Sequence, residues 1–435
     1  MAAKELYHEI PEIPEEIWVI VLRQATLDYE FPSLSKLTFE SIGTQWSTSE
    51  HLRSLRKCLI TKRNIVRVCK AWYALACPFL YEYIILGRNR VLAPLSEGLS
   101  RAALENRQVG QCTERLDVQM RDATQAPETV LATLADILTY LPNLCILTFS
   151  ITGRGFSSSL PNVVLNSITS SGSLKYVQWY NSVAKPLPHP WTVFLQRHPK
   201  IEVLDGGLEV TLNAQINLDA VKILRGFPIM AGLRTVWSEV DLPAIRSMFY
   251  DVTYGVLPKD AVTFSRLGQY LTEIQLSFLV IPRVAHLNAA FARIRAGCTR
   301  LTQLVLLVRS WFMLGSYTPN LPPTVHTLGI RVVDGRRVSA ASVKRLFTAL
   351  LPFYVTRNPA LETIKFMETS NTQALRSRPI SLWRGLRVME KLGVAVQDLD
   401  GRLIVPPSCP GVVRLQQELG KLSSTTTLDI FHPAP

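Results

Sequence analysis

One pattern recurs along this chain and restricts its fold more than any other feature. An apolar residue is followed after two positions by a second, and after one more position by a third. It stands at Leu144/Leu147/Phe149, Leu174/Val177/Trp179, Leu233/Val236/Ser238 and Leu271/Ile274/Leu276. It returns at Leu301/Leu304/Leu306, Val325/Leu328/Ile330 and Leu361/Ile364/Phe366, with a degenerate copy from Ile201 to Gly206 and an earlier one from Glu114 to Met120. The starting points 144, 174, 201, 233, 271, 301, 325 and 361 are separated by 24 to 38 residues. Each copy is short and alternates at its end, as a strand with one buried face does. Several copies follow a helix stop, in YLPN, SSGS, RHPK, MAGL and RNPA, where Gly or Pro ends a helix and turns the chain.

The stretches between the copies read as helices. Ala126 to Leu141 places Val130, Leu134, Ile137, Leu138 and Leu141 on one face, and PRVAHLNAAFARIRAGC and SAASVKRLFTALLPFY repeat the habit. A strand followed by a helix cannot bury its own apolar face. Stacked copies bury one another's, and the expected fold class is therefore an α/β solenoid with parallel strands.

These repeats resemble leucine-rich repeats, whose L-x-x-L-x-L core they carry. The Asn or Cys expected three residues after the last apolar position is missing, for Thr152, Ser182, Leu279, Arg309 and Thr369 stand there. The resemblance therefore implies an irregular solenoid, with strands on the concave side. The residues between the apolar positions would face outward on that wall: Asp117, Thr148, Gln178, Asp205, Trp237, Gln275, Val305, Gly329 and Lys365. The row has neither a charge stripe nor an aromatic ladder, which disfavours a nucleic-acid track and suits a protein surface. Gln178, Asp205, Trp237, Gln275 and Lys365 are the expected substrate-binding residues. Trp237 is the expected anchor, or else it packs on Trp179 or Tyr180.

The N-terminal part is different. In IPEEIWVIVLRQAT, Pro14 suits a helix start, Glu15 and Glu16 complement the helix dipole, and Ile17, Ile20 and Val21 share a face. The second apolar segment, RNIVRVCKAWYALACPFLYEY, puts Val68, Trp72 and Leu75 at helical spacing and is expected to end at Pro78. Helices this short make a core too small to stand alone, so their leftover apolar surface needs the repeats or another chain.

This arrangement resembles the F-box. The family opens with Leu-Pro, an acid and a run of Ile/Leu, matched by Ile13-Pro14-Glu15-Glu16-Ile17 through Leu22. Its later signature is matched by Val68-Cys69-Lys70-Ala71-Trp72-Tyr73-Ala74-Leu75-Ala76, followed by Pro78, Leu80 and Tyr81. The two halves are normally close; here a loop of about residues 28–62 separates them, whose end, EHLRSLRKCLITK, can extend a helix into the second half. The resemblance implies an F-box-like domain over residues 1–90, a repeat domain with a C-terminal tail over 91–435, and docking on a Skp-type adaptor and through it a cullin. It implies adaptor contacts at Ile13, Pro14, Ile17, Ile20, Cys69, Leu75, Pro78 and Leu80, and an unknown protein substrate on the repeats. A repeat scaffold without a ligase role, whose N-terminal helices merely cap it, and a basic RNA-associated protein are the alternatives.

Composition narrows these readings. Of 435 residues 47% are apolar and 19% charged, the balance of a folded chain. No apolar run is long enough to span a bilayer, and the acidic N-terminus differs from a signal peptide; the chain reads as cytoplasmic or nuclear. Seven cysteines without a C-x-x-C pair suit free thiols. The net charge of +13 is spread thinly, its one dense run being Arg53 to Arg67. Phosphate-binding loops, a G-x-S-x-G elbow and metal-ligand spacings are missing. The seven histidines are isolated, with His189 and His198 beside prolines as in turns. The expectation is a non-catalytic protein with no cofactor or metal.

Overall fold

The computed structural model describes residues 13–26, 49–120, 126–152, 159–169, 172–179, 184–205, 218–225, 242–252, 264–278, 284–313, 321–335, 338–355, 360–408, 412–414 and 417. Contacts divide the chain into two compact units, Met1–Val221 and Lys222–Pro435. Both are α/β, and each is an irregular, leucine-rich-repeat-like succession of strands and helices.

The first unit begins with three helices, α1 (Glu15–Thr26), α2 (Ser49–Ile65) and α3 (Lys70–Glu82). Strand β1 (Tyr83–Leu86) follows α3 directly. Helix α4 (Leu92–Leu104), β2 (Arg115–Val118), α5 (Pro127–Thr139) and β3 (Ile146–Phe149) come next. Then come β4 (Ser159–Leu160), α6 (Asn162–Asn166), β5 (Tyr176–Trp179), β6 (Lys185–Pro186), α7 (Pro188–Arg197) and β7 (Val203–Asp205). The main strands pair in parallel in the order β1-β2-β3-β5-β7, and β4 pairs with β6 beside them. The register aligns Leu116 with Leu147, Leu147 with Val177 and Val177 with Leu204. All four of those side chains are buried, so the middle apolar residue of each copy forms one continuous core column. Behind the strands, Phe149, Trp179, Trp191, Phe194 and His198 stack in sequence at centroid distances between 4.2 and 5.1 Å.

The second unit holds β8 (Ile223–Arg225), β9 (Ser247–Asp251), β10 (Glu273–Phe278), α8 (Val284–Gly297), β11 (Gln303–Val308), β12 (Thr327–Val332), α9 (Ala340–Val355), β13 (Thr363–Phe366), α10 (Thr369–Arg376), α11 (Pro379–Lys391) and β14 (Ala395–Gln397). Its seven described strands pair in parallel in chain order. Beyond β14 the chain folds back, Ile404 donating its N–H to the Val396 carbonyl at 2.9 Å and Leu403 bridging to Gln397.

Several expectations are corrected. The copy placed at Leu233/Val236/Ser238 lies outside the described residues. The described strands on either side of it follow Val221/Leu224 and Ile245/Met248/Tyr250, all buried. Pro78 does not end α3, which continues to Glu82. A proline inside a helix removes one backbone hydrogen bond, and here Ala76, Cys77, Phe79 and Leu80 on either side are packed inward. Helix α2 runs through EHLRSLRKCLITK into the second segment as expected, but only as far as Ile65. A turn intervenes, and Cys69 caps α3, its Sγ accepting from the Trp72 N–H at 3.4 Å. His189 lies in α7 rather than in a turn.

Candidate functional site

Helices α1, α2 and α3 close around Leu22, Ile65, Val66 and Ala76, with Trp72, Leu75, Phe79 and Leu80 packed against them. The Pro14 carbonyl accepts the N–H groups of Ile17 at 3.0 Å and Trp18 at 3.2 Å, which starts α1. Trp18 meets Trp72 at 5.5 Å between ring centroids. Cys58 Sγ donates to the Thr26 carbonyl at 2.8 Å, tying α2 to the end of α1.

A charge cluster fixes the far end of this bundle. Lys62, 1% exposed, donates its ammonium to Glu82 Oε2 at 2.9 Å and sits 4.5 Å from the Tyr83 ring centroid. Arg23 approaches Glu82 at 3.9 Å. Burial, and then the neighbouring Glu82, push the Glu114 carboxyl above its ordinary value, while Arg23 and Lys62 pull it back. A buried ammonium requires such a partner, so the pair locks α2 to the junction of α3 and β1.

Helix α1 has two apolar faces. Leu22 and Thr26 turn into the bundle at 2% and 4% exposure. On its outer side Ile17 is 47%, Ile20 62% and Val21 48% exposed, and Ile13 just ahead of it 44%. Of the other expected adaptor contacts, Pro14, Cys69 and Pro78 are exposed, whereas Leu75 and Leu80 pack against the bundle core. The structure therefore separates the eight residues into an outer set and a pair that holds the bundle together. The sequence reading missed three more exposed apolar side chains in this part, Ile60, Val68 and Tyr73. The helical spacing of Val68, Trp72 and Leu75 does not hold for Val68, which falls in the turn before α3.

The row expected to face a substrate is largely buried. Asp117, Thr148, Gln178, Gln275, Val305 and Gly329 are buried, and Asp205 and Lys365 half-buried; Trp237 lies outside the described residues. Parallel sheets are commonly covered on both faces, and the polar members here bond to each other across the strands. Asp117 accepts from Arg115 Nε at 2.9 Å and Nη2 at 2.8 Å, and from the Thr148 hydroxyl at 2.7 Å. Gln178 Nε2 donates to Asp205 Oδ2 at 2.6 Å. Arg331, 1% exposed, reaches past the intervening strand β11 to donate to Gln275 Oε1 at 2.8 Å, with Glu368 3.8 Å from its Nε. Gln178 and Gln275 are thus buried and each holds a hydrogen bond inside the fold, rather than standing exposed on an open wall.

Among the described residues no group of three or more His, Cys, Asp or Glu side chains is placed to hold a metal ion, and no helix is long and apolar enough to cross a membrane. No family model matches the chain, and no curated protein matches it. Among solved structures the leucine-rich repeat-containing protein LegL7 from Legionella pneumophila is similar to it, at 13% identity and a TM-score of 0.37, over 70% of this chain and 97% of that one.

Proposed function

We propose that this chain is the substrate-recognition subunit of a Skp–cullin–F-box ubiquitin ligase. Its N-terminal helices dock the adaptor, and the rest of the fold presents a protein substrate. In coarser terms it is a non-catalytic protein-interaction scaffold. The observation that carries the reading is the second apolar face of α1. A helix that already buries Leu22 has no folding reason to hold Ile17, Ile20 and Val21 half out of water, and clustered exposed apolar side chains mark interaction sites. The F-box-like residues Ile13 to Leu22 and Val68 to Ala76 supply the kind of partner. The chain itself would do no chemistry; it would raise the local concentration of substrate beside a ubiquitin-charged enzyme.

The test is co-purification of the full chain with a Skp-type adaptor, followed by size-exclusion chromatography of the pair with a cullin. A stoichiometric complex is expected. An adaptor that elutes apart from the folded chain overturns the proposal.

A further inference from the structure

The second unit carries a groove that the adaptor reading does not use. Helices α9 and α11 lie side by side and enclose a cleft of about 460 Å³. Its floor is the ring of Phe347 against Gly385. A Cβ at residue 385 would collide with that ring, so glycine is what lets the two helices approach. Leu351 and Val388 line the cleft, the latter 39% exposed. Lys344 and Arg384 stand at the rim, both exposed.

The charges say what fits. Neither Lys344 nor Arg384 meets an acid among the described residues, and no acid lines the cleft. Helices α9 and α11 together carry five basic residues, Lys344, Arg345, Arg384, Arg387 and Lys391, against the one acid Glu390. That acid is occupied by Arg387 at 2.9 Å. An apolar trough between helices flanked by unpaired cations complements a peptide that projects apolar side chains between carboxylates. A nucleic acid would use the cations but has nothing to put against Phe347, Leu351 and Val388.

We propose that the α9–α11 groove docks an acidic peptide segment of a partner protein through one or more apolar anchors. The groove is built wholly from α9 and α11, so it stands whether or not α1 docks an adaptor. The probe is a phage-displayed random peptide pool panned on the full chain. The strongest binders are then labelled with fluorescein and titrated by anisotropy against the unmodified chain, K344E/R384E and A341W, which blocks the cleft from an exposed position. Circular dichroism verifies that both variants fold. Enriched peptides should place Leu, Ile or Phe between Asp or Glu. Their affinity should fall about tenfold on each variant, and fall with salt on the unmodified chain. No enrichment, enriched peptides without acids, or peptides that bind both variants unchanged would overturn the proposal. So would a random-sequence RNA oligonucleotide that binds tightly, is lost on K344E/R384E and is indifferent to A341W.

Discussion

Truncation of the outer face of α1 separates binding from folding, and the structure sets both magnitudes. Full burial of an isoleucine side chain is worth about 1.5–3 kcal/mol. Ile17 and Ile20 are 47% and 62% exposed, so a partner that covers them gains about 1 kcal/mol from each. The double variant I17A/I20A should therefore lose about 2 kcal/mol of adaptor affinity, a factor of about 30 in Kd. Its folding should lose less than its binding. The part already buried is lost, at about 1.5–2 kcal/mol for the pair, and alanine's better helix propensity returns a few tenths per position, so the net loss of stability is about 1 kcal/mol. Leu22→Ala is the counterpart. That side chain is 2% exposed, and its removal leaves a cavity costing about 2–5 kcal/mol. Isothermal titration calorimetry with the adaptor and urea denaturation followed by circular dichroism read the two quantities. The pattern expected is weak binding with modestly reduced stability for I17A/I20A, and the reverse emphasis for L22A. If I17A/I20A unfolds as readily as L22A, or binds the adaptor within twofold of the unmodified chain, the two-faced reading of α1 is refuted.

Three further outcomes test the repeat unit and the core. Asn371, 0% exposed, accepts the Val332 N–H at 2.8 Å and donates to its carbonyl at 2.9 Å, closing the end of β12; Asn371→Ala strands both groups and should cost about 2–4 kcal/mol by urea denaturation. Gly385→Ala drives a methyl into the Phe347 ring and should cost about 1–3 kcal/mol, with part of the loss recovered in the double variant with Phe347→Leu. Burial, the largest cause, holds the His198 imidazole below its ordinary value. The folded chain therefore keeps it neutral where the unfolded chain begins to take up a proton, near pH 6.5. Its penalty is missing above that pH, grows as pH falls and levels off below the folded value, with a slope of at most about 1.4 kcal/mol per pH unit. His198→Asn should flatten the thermal-stability profile between pH 7 and 5, and an unchanged slope would assign the titration elsewhere.

Much of the strand order was legible because the apolar columns impose it. Leu147, Val177, Ile274, Leu304, Leu328 and Ile364 were read in register, and each is buried on its strand. Strands β8, β9 and β14 escaped: Ile245, Met248 and Tyr250 keep the spacing with a sulfur and a phenol, β8 keeps only Val221 and Leu224, and β14 is only Ala395–Gln397. The helices α5, α8 and α9 were visible for the same reason as the columns, since their buried residues recur at the helical period. The continuation of α3 through Pro78 was not, because a proline reads locally as a stop and only the packing on either side shows that the helix survives it.

The second face of the sheet was invisible for a more general reason. A glutamine between two apolar residues looks the same in sequence whether it meets water or a cross-strand carboxylate. Gln178 finds Asp205 27 residues away and Gln275 finds Arg331 56 residues away, and no local pattern encodes either distance. The signal that was present lay in the apolar members of the same row. Val305 is 0% exposed, and a Cβ at Gly329 would press on Val305 and Met367. A wall meant for solvent has no use for a valine beside a glycine that close packing requires, whereas a sheet covered on both sides does. That argument moves the search for a substrate surface away from the strand residues. It leads to surfaces where apolar side chains remain partly in water, among them the outer side of α1 and the cleft between α9 and α11.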